Sequence, residues 1–195
     1  MHFSDTEKRD LIKAWVVVSL AVVIADLGGH LLAPSLMVRA FVIYALTVGA
    51  SLLAHEVLGH KFLAQRFGLF AEFRADDLLL MLSVVFSFMG FVFIVPGAVL
   101  VSGATRIDTY GKVAAAGPLA NIILALIFSV LYRLGISLKV AGVDLIVLSL
   151  GVNAWFGLFN MLPLGLWDGA KVMAWNKYVW LAMTATATLL YLGVV

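Results

Sequence analysis

Six apolar stretches, at about residues 11–25, 37–67, 78–101, 112–134, 143–162 and 178–195, take up most of this chain. Several approach the roughly 20 residues that carry an α-helix through a bilayer's hydrocarbon core. In that medium every backbone N–H and C=O must be satisfied inside the protein, which leaves only helices or a closed barrel. No regular two-residue alternation of the barrel kind runs through the chain, so the helices are expected. With 64% hydrophobic and 12% charged residues, the composition is not that of a soluble globule. The expected fold is an all-α polytopic membrane protein, one integral membrane domain over residues 1–195.

The charged residues then order the stretches. Residues 11–25 follow a polar start and are interrupted by Lys13 and Ser19; acids beside Lys8 and Arg9, and no clean small-x-small site, argue for a first span rather than a cleavable signal. Asp26 and His30 are four apart and could share a helix face, but their place near the end of the span favours an interfacial role over metal ligation. His2 reads as terminal and without a role. Pro34 marks a turn, the second span ends near Gly68 as a candidate C-cap, and Lys61, Arg66 and Arg74 outnumber Arg39 at its other end. The positive-inside rule therefore puts the Gly68 end in the cytoplasm. The remaining bases are scattered between apolar stretches, so a net charge of +2 signals topology and not nucleic-acid binding.

Residues 78–101 are interrupted by Gly90, Pro96 and Gly97 and bracketed by Arg74 on one side and Arg106 with Lys112 on the other. Basic flanks at both ends favour a segment that enters and leaves on the same side, helical first and extended or irregular around residues 96–103; an ordinary crossing is the alternative. The expectation is thus five transmembrane helices plus a re-entrant segment between the second and third. The third span opens with Ala116-Gly117-Pro118-Leu119-Ala120-Asn121, small residues that let a neighbouring helix approach closely. The fourth contains Asn153 and leads into Asn160-Met161-Leu162-Pro163 and on to Asp168-Gly169.

Within the second span lies His55-Glu56-Val57-Leu58-Gly59-His60. Ionisable groups inside a span cost free energy and are functional candidates by default. Two imidazoles flanking a carboxylate can form a zinc site with a general base beside it. Cysteine is absent, so any metal must rest on His, Asp or Glu. Two histidines need a third protein ligand. Asp144 beside Gly142 suits a helix N-terminus, whereas Asp168 follows the helix-breaking Pro163 and precedes Gly169, and can be presented at the end of the fourth span or simply cap a turn there.

The Asn160-x-x-Pro163-x-x-x-x-Asp168-Gly169 pattern, the His-Glu-His run with its continuation His60-Lys61-x-x-Ala64-x-x-Phe67-Gly68, and Ala116-Gly117-Pro118 between them resemble the site-2 protease family of intramembrane zinc metalloproteases. The resemblance covers about residues 51–171, and the protease-like core is placed at about 37–171. It implies one zinc ion held by His55, His60 and Asp168, with Glu56 as base and Asn160 as the polar group that positions the substrate or its oxyanion. It also implies a membrane-inserted hairpin at residues 78–101, because a full crossing there would put Asp168 on the side opposite His60.

One departure stands out. The family's first motif has two residues between Glu and the second His; this chain has Val57, Leu58 and Gly59. On a regular α-helix, five residues at 100° each turn the two histidines about 140° apart. A π-bulge at Gly59 absorbs the extra residue and returns His60 beneath His55. The H-E-x-x-x-H spacing itself resembles the zinc motif of dipeptidyl peptidase III. The expected function is an intramembrane zinc endopeptidase acting on transmembrane protein substrates in the lipid bilayer, its active site toward the cytoplasmic side. The competing expectations are a catalytically inactive relative and, further off, a metal transporter.

Overall fold

The computed structural model describes residues 1–28, 34–103, 106–165 and 167–193, so His30 falls outside the described residues. The protein is mostly helical, and two of its helical runs, Ser35–Arg66 and Ile107–Arg133, are long and apolar enough to cross a membrane. The first helix, α1 (Asp5–Leu27), starts where the Ser4 hydroxyl accepts from the Glu7 N–H, with Asp5 and Glu7 in the first turn complementing the helix dipole. Asp26 is exposed near its end.

Next comes one continuous helical run in three segments. It opens as α2 (Pro34–Leu52), becomes π-helical over Leu53–Lys61, and closes as α3 (Phe62–Arg66). The expected bulge is therefore a nine-residue π segment, longer than the single turn needed to absorb one residue. The run stops at Gly68, whose φ of 73° suits glycine. There the Gly68 N–H donates to Gln65 and the Leu69 N–H to Ala64, the paired bonds of a Schellman stop.

Residues 70–102 form a unit of their own. Strand β1 (Phe70–Ala75) leads through Asp76, the N-cap of α4 (Asp77–Ser87), and the chain returns as β2 (Gly97–Ser102), antiparallel to β1 with Phe70 opposite Ser102 and Ala75 opposite Gly97. The expected order of helix and then extended chain is present, and β1 is an addition to it. Its signal was a short alternation in which Ala71 and Phe73 turn inward while Phe70 stays exposed. A Cβ on Gly97 would stand 2.0 Å from the Arg74 carbonyl oxygen, so only glycine lets the two strands close there.

The second long helix is α5 (Ile107–Arg133), with Pro118 inside it. A two-residue ladder of β3 (Lys139–Val140) and β4 (Val143–Asp144) then sets up α6 (Leu145–Asn160). Asp144 caps α6 by accepting from the Ile146 N–H, and a hydrogen bond from the Ser137 hydroxyl holds its carboxyl below the ordinary range. Two helices finish the chain, α7 (Asp168–Trp175) and α8 (Lys177–Tyr191).

Two of three apolar clusters among the described residues hold most of these elements together. One joins α1, α2, β1, α4 and α6 through residues such as Val18, Val48, Phe73, Leu80 and Phe156; the other joins α5, α6, α7 and α8 through Ala125, Ala154, Val172 and Ala187. The smallest joins α3, β1 and α5 through Ala64, Ala71 and Val113. Indole N–H groups pin the seams: Trp15 donates to Ala45, Trp155 to Val92 and Trp180 to Met161. The first and last helices are thus packed into the body of the protein. The π segment lies against α5, and β2 passes beside it.

Candidate metal centre

Three elements bring polar groups to one place. The π segment supplies His55, Glu56 and His60, the end of α6 supplies Asn160, and the start of α7 supplies Asp168 and Lys171. All six line a single cavity of about 50 Å³ whose remaining wall is Val95 to Val99, the run into β2. A polar space of that size has room for water. All five residues singled out from the sequence are therefore brought together, with Lys171 as a sixth.

The π turn decides the placement of the histidines. Its bonds close from residue i to i+5, so His60 returns over His55 in spite of the inserted residue, and the two rings stand edge to face with centroids 4.8 Å apart. His60 Nε2 lies 3.0 Å and His55 Nε2 3.5 Å from the same oxygen, Asp168 Oδ2. One ligand atom from each of the three lies within 4.8 Å of the others, and all three residues are buried. His60 Nδ1 is 2.8 Å from the Val113 carbonyl, which can only accept, so that nitrogen carries the hydrogen and Nε2 of the neutral ring presents its lone pair to Asp168. His55 Nδ1 is likewise engaged, 2.6 Å from Asn121 Oδ1.

With the rings neutral, a cation between Nε2 and the carboxylate satisfies the convergence. Two imidazole nitrogens and a carboxylate oxygen are a zinc donor set, and three protein ligands leave a fourth position for water. The scaffold makes room for it. A Cβ on Gly117 of α5 would fall 2.2 Å from His60 Nε2 and 2.8 Å from His55 Cδ2, so any larger residue would displace both rings. A Cβ on Gly59 would meet the backbone of Gly117 at 2.6 Å. Gly59 therefore serves close helix approach, where the sequence suggested unusual dihedrals, and its φ is not positive. A Cβ on Gly169 would sit 2.2 Å from the Met161 carbonyl oxygen, which ties the Asp168 turn to the end of α6.

A Methanocaldococcus jannaschii protein carrying the name "Putative zinc metalloprotease MJ0611" is 35% identical to this chain over 155 residues, 75% of this chain and 77% of its own length. The chain belongs to the site-2 protease family. No family model matches it, and no solved structure does.

Set against the family's motifs, the site contains groups that the motifs do not name. Lys171 donates to Asp168 Oδ1 at 3.1 Å, occupying the oxygen that the histidines leave free. Its place three residues after Asp168 on one helix is the signal that could have found it. Asn121 and Asn153 were visible as amides inside apolar spans, but nothing in their spacing says that they face each other across two helices. Lys61, counted from the sequence as a topology charge, is instead buried and paired with Glu7, and the carbonyl of the supposedly idle His2 accepts from it at 2.7 Å.

Proposed function

We propose that the protein is an intramembrane zinc endopeptidase that hydrolyses peptide bonds within transmembrane segments of membrane-protein substrates. The observation that carries this reading is the convergence of His55, Glu56, His60, Asn160 and Asp168 on one buried polar cavity beside the edge of an extended strand.

In this reading α1, the run through α2 to α3, α5, α6 and α8 make the five crossings, and residues 78–101 enter and leave on the cytoplasmic side. Parity supports it. With α4 and β2 returning to the side of β1, α5 and α6 bring Asp168 back to the level of His60. Apolar side chains left outward on the long helices support a lipid environment: Val38, Val42 and Leu46 follow one face of α2, and Leu119, Ile123, Leu126 and Val130 one face of α5. Arg66, Arg74, Arg106 and Lys112 favour the cytoplasm for the Gly68 end.

His55, His60 and Asp168 would hold the metal. A zinc ion there supplies a Lewis acid and a water acidified toward neutral pH. Glu56, buried and lining the same cavity, takes the proton of the water that attacks the peptide carbonyl and passes it to the leaving amine. Asn160 gives one amide hydrogen to the Phe156 carbonyl at 3.0 Å, which sets its rotamer, and keeps the second for the carbonyl oxygen as it gains charge. Donors of this type are worth about 3 to 4 kcal/mol in comparable sites. A substrate helix must unwind to expose a peptide bond. The described sheet has two strands, β1 and β2, so β2 offers its other edge to an extended segment next to the cavity.

The test is cleavage of a transmembrane reporter by the purified protein, with zinc measured on the same sample. Full zinc with a rate lowered by about 10² to 10⁴ in Glu56→Gln is the expected result. Unchanged turnover in that variant would remove Glu56 from the mechanism, and a zinc-free parent would remove the centre. The transporter reading predicts further ligand groups along a path; among the described residues only the His55, His60 and Asp168 group could hold a metal.

A further inference from the structure

His55 and His60 are both tethered through Nδ1, but to different kinds of partner. His60 meets a backbone carbonyl, which no substitution removes. His55 meets a side-chain amide, Asn121, which could present either its oxygen or its nitrogen. The orientation of that amide therefore decides which nitrogen of His55 carries the hydrogen.

The neighbours of Asn121 leave one solution. Its Nδ2 is 3.1 Å from the Ser51 carbonyl and 3.0 Å from Asn153 Oδ1, and Asn153 Nδ2 is 2.8 Å from the Ser149 carbonyl. Both ends of this chain are backbone carbonyls, which only accept. Asn153 must turn its NH₂ to Ser149, so its oxygen faces Asn121. Asn121 must then spend both amide hydrogens on Ser51 and Asn153, so its oxygen faces His55. A ring nitrogen facing that oxygen must donate, and Nε2 is left with a lone pair aimed at the centre. Asn121 and Asn153 are almost fully buried, so water does not compete for these bonds.

We propose that Asn121 is a positioning residue, aligned by Ser51 and Asn153, that fixes the Nδ1–H tautomer and the ring orientation of His55 and so presents Nε2 to the metal. The inference rests on the zinc-centre reading for its function, though not for its geometry. With Asn121 reversed, Nδ1 would accept, Nε2 would carry the hydrogen, and the ring could not ligate. Amides placed on α5 and α6 thus reach the centre through the π segment without touching metal or substrate.

Two measurements test it on the full-length protein in detergent. In the metal-free parent, ¹⁵N-histidine NMR at a pH where the rings are neutral should show His55, assigned by its loss in His55→Gln, with a protonated Nδ1 and an unprotonated Nε2. Zinc affinity, read by competition with a chelator, should fall by about 10- to 100-fold in Asn121→Leu. Asn121→Asp keeps an acceptor against His55 and should retain more of the affinity. Asn153→Leu leaves Ser51 as an anchor and should lose less than Asn121→Leu. An Nε2–H tautomer in the parent overturns the proposal whether or not the variants fold. So does parent-like affinity in Asn121→Leu, or an equal loss in the Leu and Asp variants. A parent that binds no zinc, yet shows the Nδ1–H tautomer, would sink the protease reading and leave the positioning of His55 by Asn121 standing.

Discussion

Lys61 and Lys171 make a pair of opposites within one structure. The first follows His60 directly and the second stands three residues after Asp168, so each adjoins a candidate metal ligand; each also bonds a carboxylate. Around Lys61 everything is satisfied. Its ammonium is 2.5 Å from Glu7 Oε2 and 2.7 Å from the His2 carbonyl, and lies 4.1 Å from the centre of the Phe3 ring. The other Glu7 oxygen accepts from the Phe73 N–H at 3.0 Å. Side-chain exposure is 1% for Lys61 and 0% for Glu7. Around Lys171 the pair is open, with 30% and 12% exposure, and Asp168 offers its second oxygen to two histidines across a cavity. A closed polar cluster holds elements together; an open one holds capacity for a ligand.

If that contrast is right, the two lysine pairs should respond very differently to loss of one member. Glu7→Leu strands a buried ammonium, so a fall of about 3 to 5 kcal/mol in folding stability is expected from denaturant titration in detergent. Much of it should return in Glu7→Leu with Lys61→Met, apart from the orphaned Phe73 N–H; a double variant as unstable as the single would break the account. Next in size is Gly117→Ala. Its Cβ collides with both rings, and the expected 10- to 100-fold loss of zinc affinity equals about 1.4 to 2.7 kcal/mol.

Smaller effects probe the open side. Lys171→Met should cost the metal-free protein no more than about 1 kcal/mol, because the pair is partly solvated. A loss rivalling that of Glu7→Leu would show that Lys171 belongs to the scaffold. Smallest of all should be Leu58→Ala. Leu58 lies inside the motif but is 63% exposed on the face away from α5, so about 0.5 kcal/mol in stability and unchanged zinc content are expected.

Much of the site was legible because its residues violate their surroundings. His55, Glu56, His60, Asn160 and Asp168 are polar groups in apolar sequence, and such groups persist only where they are used. The bend at Gly68, the Asp144 cap and the helix-then-extended order of residues 78–101 could be read in the same way, from local chemistry. The π segment was legible as a need, since spacing alone puts the histidines on different faces, but its nine-residue extent was not. Strand β1 was missed because six residues of weak alternation become a strand only when β2 lies beside them. Lys61 was misjudged for a related reason: a charge at a helix end looks solvated until the residue that meets it, Glu7, is found 54 positions away.

What the sequence determined by itself is therefore the inventory and its cost: apolar helices, five polar groups set within apolar sequence, and a histidine spacing that no regular α-helix can use. What only the tertiary structure decided is how those groups are turned. Gly117 and Gly59 set how closely α5 meets the π segment, Asn121 and the Val113 carbonyl set which ring nitrogens face inward, and Asp168 closes the set from a different helix. Those contacts join residues 50 to 110 positions apart, and orientation at that range comes from packing and hydrogen bonding between elements, which local pattern does not encode.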